Sequence, residues 1–199
     1  MTGSPEKSRN TFFVQRHGES EANALRMIVS HPHIYDSNDD FSLTELGEEQ
    51  VRTSVREARA KGWLGEDTVI YASPFLRCKR TAEIAREELG AGPVIFDDRL
   101  RERWFGEFER ANNENYQKVW DEDKRDPAHT TWSVESAERV QQRTLGFVQE
   151  LENKYAGKTI LLVSHGDSLQ ILFTGIQGTS PASHREVPHL NVAEIRKLE

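Results

Sequence analysis

Four short apolar runs punctuate the chain, at roughly residues 11–15, 68–72, 93–96 and 159–164. Each is continuous and rich in Val, Ile and Phe instead of alternating with polar residues, the pattern of a strand buried on both faces of a parallel sheet. Helical patterns lie between them. Thr44 is placed to cap a helix that reaches about Lys61, with Gly62 as its stop, and Phe75 to Leu89 reads as a second helix closed by Gly90. A third begins near Ser133 and carries apolar residues at Val140, Phe147, Val148, Leu151 and Tyr155, with Gly157 just past its end. Strands alternating with helices of this length predict βαβ units. The expected class is α/β with three layers, helices covering both faces of a mostly parallel central sheet.

Two segments depart from this alternation. The opening MTGSPEKSRN has neither the apolar core of a secretory signal nor a glycine after Met1 for myristoylation, and residues 1–10 read as a disordered tail. That leaves 11–199 as one domain. Residues 104–132 start with Trp104, Phe105 and Phe108 and run on into NNENYQ and DEDKRDP, with no Gly/Ser linker and no repeat. They predict a small helical insertion, a lid over one end of the sheet, whose aromatic residues either form a satellite core, the commoner case, or stack on a sugar, nucleoside or aromatic leaving group.

Composition narrows the function. A chain of 199 residues suits one sizeable domain. Its formal net charge of -7 argues against a duplex nucleic-acid binder, which holds phosphate with clustered Lys and Arg. The longest apolar run, Ile160 to Val163, is far short of the ~20 residues of a membrane span. Cys78 is the single cysteine, so no internal disulfide forms and the cytoplasm is the default location. Nothing fixes an oligomeric state.

Two of the strands end alike. FFVQRHG leads into Arg16-His17-Gly18, and ILLVSHG leads into Ser164-His165-Gly166. In open parallel sheets, ligands bind in the crevice beyond the carboxyl ends of the strands, so if these two strands are neighbours both histidines face one crevice. VIYASP then delivers the first turn of a helix bearing Arg77, and the fourth run opens into DDRLRER, which carries Glu102. Two imidazoles, two guanidiniums and a carboxylate suit a tetrahedral oxyanion. Arginine forks make bidentate bonds to phosphate oxygens, and backbone N–H groups after Gly18 are expected to add donors. The same cations disfavour protonation of a nearby histidine, and a neutral imidazole is a nucleophile.

Other candidates read as ordinary. His31 and His33, in SHPHIYD, lack a third ligand nearby for a metal site. Cys78 reads as a small buried residue, Lys79 and Arg80 as solvated surface, and Glu107 and Glu109 as competitors of Glu102 for the acid's role.

Taken in order, RHGES…N (16–23), LTELG (43–47), SPFLRCKRTA (73–82), LRER..GEFE (100–109) and VSHGDSL (163–169) resemble the histidine phosphatase superfamily, also called phosphoglycerate-mutase-like, from Phe12 to about Ala193. The resemblance implies that His17 takes the phosphoryl group, that His165 stabilises it from the opposite side, and that Arg16 and Arg77 clamp its oxygens. Gly18, Ser20, Asn23 and Gly166 would help bind the substrate. Glu102 would be the general acid, which requires a carboxyl kept protonated near neutrality by burial. The implied activity is metal-independent and cofactor-free hydrolysis of a phosphomonoester on a small phosphorylated metabolite. Alternatives are a mutase, a protein phosphatase and a phospho-ligand binding module.

The family's mutases carry a tyrosine at the position of Phe105, a lysine near Asn113, two arginines where Asp121 and Glu122 stand, and an asparagine at Asp167. On that alignment three acids enter the cleft and repel a bisphosphorylated acid, which favours the phosphatase.

Overall fold

A computed structural model provides the architecture and describes residues 9–31 and 41–199. His33 lies outside the described residues. The strands are β1 (Thr11–Arg16), β2 (Val69–Ala72), β3 (Ile95–Phe96), β4 (Thr159–Ser164) and β5 (Ile195–Lys197), in one sheet of order β3-β2-β4-β1-β5. The first four are parallel, and β5 runs antiparallel along β1. The helices are α1 (Glu21–Ala24), α2 (Glu45–Ala60), α3 (Leu76–Leu89), α4 (Tyr116–Asp123), α5 (Ala137–Lys154) and α6 (Gly166–Ile176).

The strand pleat divides the core in two. Phe13, Leu161 and Val163 pack with Val51, Val55, Ala82 and Ile84 of α2 and α3, whereas Phe12, Val14, Ile160 and Leu162 pack with Phe147 and Leu151 of α5 and Leu169, Leu172 and Phe173 of α6. β1 and β4 are therefore covered on both faces, which is why their sequences are continuous apolar runs. β3 differs: Ile95 and Phe96 are 39% and 44% exposed, so it is a short edge strand and not the buried one expected from its composition. β5 escapes the sequence pattern because three residues, two of them Arg196 and Lys197, carry no apolar run. The pattern also gives no helix at α6, nearly all of which is buried and which therefore shows no polar face to mark a period.

Capping sets the helix ends. Thr44 Oγ1 accepts the Gly47 N–H at 3.0 Å, starting α2 as expected, and Gly90 closes α3 in a left-handed conformation at φ +67°. α5 begins four residues later than its apolar spacing suggests. Trp132 and Ser133 have φ of 58° and 59°, which no helix accepts, and Ser136 caps the helix through the Arg139 N–H. At the amino end, Arg9 and Asn10, which the sequence assigns to the tail, are held against α5. Asn10 is buried, with its amide on Glu152 and on the Tyr155 carbonyl, and Arg9 reaches the same end of α5.

Residues 104–132 form two single-turn 3₁₀ segments and α4, with a further turn at Thr131–Ser133. Phe105 is fully buried with Ile28, Val119 and Val134, while Phe108, Tyr116 and Trp132 close around them, the satellite core expected of this segment. Trp104 instead meets the edge of His31.

Candidate active site

The register of β1 on β4 pairs Arg16 with Ser164, so the next residue of each strand, His17 and His165, emerges side by side at the carboxyl edge. Their rings meet edge to face with centroids 5.3 Å apart. His17 Nδ1 lies 2.7 Å from the Gly18 carbonyl. A carbonyl only accepts, so Nδ1 carries the proton and Nε2 keeps its lone pair. Burial, then Arg77 and Arg16, hold the His17 pKa well below the usual histidine value. His165 is likewise pushed well below it by burial and Arg77; its Nε2 is 2.8 Å from Ser73 Oγ and 3.5 Å from the buried Cys78 Sγ. Both imidazoles are therefore neutral at pH 7.

His17, but not the fully buried His165, borders a cavity of about 250 Å³ whose inner side is also lined by Arg16, Ser20, Asn23, Arg77, Glu102 and Gly166. Arg16 is fixed by a bond from Nη1 to the Leu190 carbonyl at 2.8 Å, with His189 Nε2 at the same distance, and its buried Nε has no partner among the described residues. Gly166 opens α6 directly against this guanidinium: a Cβ there would meet Arg16 Nε at 3.3 Å. Arg77, in the first turn of α3, donates to the Val29 carbonyl at 2.8 Å and stacks on Phe75. Ser20 and Asn23 form a reciprocal cap on α1, the Asn23 Oδ1 taking both the Ser20 N–H and its hydroxyl, so the Asn23 amide nitrogen is left for the cavity.

Gly18 has a different part from the one expected. It does not line the cavity, and the backbone N–H groups of Gly18, Glu19 and Ser20 are already taken by Thr81, Gln50 and Asn23. A Cβ at Gly18 would fall 2.4 Å from the Gly47 carbonyl oxygen, and one at Gly47 would fall 2.0 Å from the Glu19 oxygen. The two glycines let the loop after His17 lie flat against the start of α2.

Glu102 is buried, and its Oε1 accepts from the Arg103 N–H at 2.9 Å, the Ser168 hydroxyl at 3.0 Å and the Ser168 N–H at 3.3 Å. Burial raises its pKa and the neighbouring Asp167 raises it further, against the Arg103 N–H, Arg77 and Ser168. The Ser168 hydroxyl is also 3.0 Å from the Arg101 carbonyl. Glu109 is occupied elsewhere, receiving the N–H and hydroxyl of Ser30, and Glu107 is exposed.

The outer wall comes from α4 and the turn Pro181–Glu186. Asn113, Tyr116 and Trp120 recur at helical spacing and line the cavity. Asp121 and Glu122 therefore lie off that face: Asp121 accepts from Gln117 and Glu122 pairs with Arg125. The expected repulsion from these two acids is absent. Asp167 does reach the cavity, but Arg103 at 3.4 Å, His184 at 3.4 Å and the Trp120 Nε1–H at 2.9 Å surround its carboxylate; His184, then Arg103 and Arg185, hold its pKa below the usual range against burial. Arg103 is itself fully buried and makes a bidentate pair with Asp123 at 2.6 and 2.7 Å.

A family model described as the histidine phosphatase superfamily (branch 1) matches residues 12–199. The chain belongs to the histidine phosphatase superfamily. This superfamily member is 30% identical over 166 residues to the uncharacterized phosphatase PhoE of Bacillus subtilis, covering 83% of this chain and 77% of the relative. It is 28% identical over 193 residues to a 2,3-bisphosphoglycerate-dependent phosphoglycerate mutase of Parvibaculum lavamentivorans, covering 92% and 86%. A mycobacterial glucosyl-3-phosphoglycerate phosphatase solved with vanadate superposes with a TM-score of 0.78 at 20% identity, over 95% of this chain and 92% of that one, a likeness of fold. Phosphatases and mutases of the superfamily share phosphoryl transfer, and the histidine phosphatase chain described here is an α/β phosphoryl-transfer protein.

Sequence reasoning missed Ser168, Ser73, Arg103, Tyr116, Trp120, Arg185 and His189. The Tyr116/Trp120 spacing of four was the available signal for α4; Arg185 and His189 lie in a Pro-rich stretch with no period.

Proposed function

We propose that the protein is a metal-independent phosphomonoesterase that works in the cytoplasm on a small phosphorylated metabolite through a phosphohistidine. The neutral His17 Nε2 attacks phosphorus, the ester P–O bond breaks, and Glu102 gives its proton to the departing oxygen. Arg16 and Arg77 hold the phosphoryl oxygens, with the Asn23 amide as a further donor, and His165 supports the transferring group from beside His17. In the second half Glu102, now a carboxylate, takes a proton from water. That oxygen attacks phosphorus, the P–N bond breaks, and the electron pair returns to His17 as phosphate leaves.

The observation that carries this reading is the pairing within one cavity of an imidazole held neutral with Nε2 available and a carboxyl whose pKa burial raises. A mutase would use the same first step. Arg185 on the outer wall, a cation outside the phosphoryl clamp, favours that second reading, and a requirement for a bisphosphorylated primer distinguishes it.

The test is phosphate release, with chelator present, from p-nitrophenyl phosphate, sugar phosphates, 3-phosphoglycerate, nucleotides and phosphopeptides, by wild type and His17→Ala. Release by the wild type that falls at least about a thousandfold in the variant is expected. Release that persists in His17→Ala would refute the covalent route.

A further inference from the structure

Nη1 of Arg16 meets two acceptors, the Leu190 carbonyl and His189 Nε2, each at 2.8 Å. A guanidinium has no lone pair to offer, so His189 Nε2 accepts, and the imidazole in this contact is neutral with its proton on Nδ1. Both hydrogens of Nη1 are thereby used. What is left is the edge formed by Nε and Nη2, the parallel donors with which an arginine grips an oxyanion, and neither atom has a hydrogen-bond partner among the described residues.

The acceptor is itself held in place. Arg196 of β5 donates to the Pro188 carbonyl at 2.7 Å and to the His189 carbonyl at 2.9 Å. Glu194, which pairs with Arg196, also takes the Asn191 N–H at 2.8 Å, and Leu190 is fully buried. The backbone around His189 is thus fixed from β5, while Arg16 ends the neighbouring β1.

We propose that His189 is a positioning residue that aims Arg16 at the phosphoryl group, its imidazole holding one guanidinium nitrogen so that the Nε–Nη2 edge is left for the cavity. The proposal rests on the phosphoryl clamp of the phosphomonoesterase reading. A neutral acceptor suits the task, because a carboxylate in its place would pair with Arg16 and compete with the phosphoryl oxygens for its charge. The surroundings keep the ring neutral: partial burial, then Arg16 and Arg185, with Arg196, lower the His189 pKa, and Glu194 opposes them.

Calorimetric titration with sulfate tests this without turnover, since sulfate is a tetrahedral dianion across the pH range used. At about pH 7.5, His189→Leu should weaken sulfate binding about tenfold, the lower end for a hydrogen bond with one charged partner, because the Leu190 carbonyl still holds Nη1. His189→Gln, whose amide oxygen is a neutral acceptor, should stay within about threefold of the wild type. On p-nitrophenyl phosphate, the loss in kcat/KM from His189→Leu should shrink to within about twofold when Arg16 is already Met, as nothing remains to be aimed. The His189 ring signal in NMR, identified by its absence from His189→Gln, should titrate below about 6.5 and move upward in Arg16→Met. Wild-type sulfate affinity in His189→Leu, a Gln variant as weak as the Leu variant, a loss that persists in the Arg16→Met background, or a ring that titrates at or above about 6.5 would each overturn the proposal. So would a wild type that binds no sulfate. If sulfate binds but no ester is hydrolysed, the phosphomonoesterase reading fails on its own, and the sulfate series still decides the role of His189.

Discussion

Arg103 offers a quantitative test of how the site is held together. It is wholly buried, its two Nη atoms sit 2.6 and 2.7 Å from the Asp123 carboxylate, its Nε donates to the Glu135 carbonyl at 2.7 Å, and Asp167 lies 3.4 Å away. Arg103→Met keeps much of the packing against Phe105 but strands a buried carboxylate. Removing one partner of such a pair costs about 3–5 kcal/mol. His129 Nε2, 3.0 Å from Asp123, remains as partial compensation and keeps the loss within that range instead of the larger sum of the separate bonds. For a chain of this length 1 kcal/mol moves the melting temperature by about 2–4 °C, so the expected drop is about 6–20 °C. Urea unfolding monitored by circular dichroism would measure it directly. The double variant Arg103→Met/Asp123→Leu removes both charges and should regain much of the loss. A single-variant loss below about 1 kcal/mol, or a double variant as unstable as the sum of the singles, would refute the view that the cost is an unpaired buried charge.

Glu102→Gln should lower kcat on alkyl phosphates by about a hundredfold to ten-thousandfold, and far less on p-nitrophenyl phosphate, whose leaving oxygen needs little protonation; steady-state kinetics on both esters checks this. For pH dependence, the folded pKa of His17 lies below its unfolded value, so the unfolded chain binds the extra proton and stability falls as pH drops below about 6.5. His17→Gln should lose less unfolding free energy than wild type between about pH 7.5 and about pH 5.5. Equal losses would contradict a buried neutral imidazole. Glu102 acts with the opposite sign: its folded pKa is raised, so its contribution fades as pH rises through that raised value.

What could be read from the chain follows from the range of the forces involved. Apolar runs mark β1, β2 and β4 because those strands are buried on both faces, and the meeting of His17 with His165 follows once two such strands are adjacent. The caps at Thr44 and Gly90 are local and legible. Sidedness on α4 was not, because an alignment counts positions while a helix rotates each residue: Trp120 turns inward and Asp121 outward. The partners of Asp167 were illegible for another reason. Arg103, Trp120 and His184 come from three separate stretches of chain, and only the closed fold reveals that the acid near Glu102 is matched.

The Ser168 hydroxyl stands 3.0 Å from both Glu102 Oε1 and the Arg101 carbonyl, with one hydrogen to give. When Glu102 is ionised the hydrogen points to the carboxylate; when the acid's proton sits on Oε2, the oxygen that neither the Arg103 N–H nor the hydroxyl and N–H of Ser168 touch, Oε1 is a weaker acceptor and the hydroxyl is free to swing to the carbonyl. The switch is a rotation about a single C–O bond, with every heavy atom in place. In the proposed cycle Glu102 gives up and regains its proton at each turnover, and this small rotor lets its surroundings follow both states without the helix beneath it having to shift.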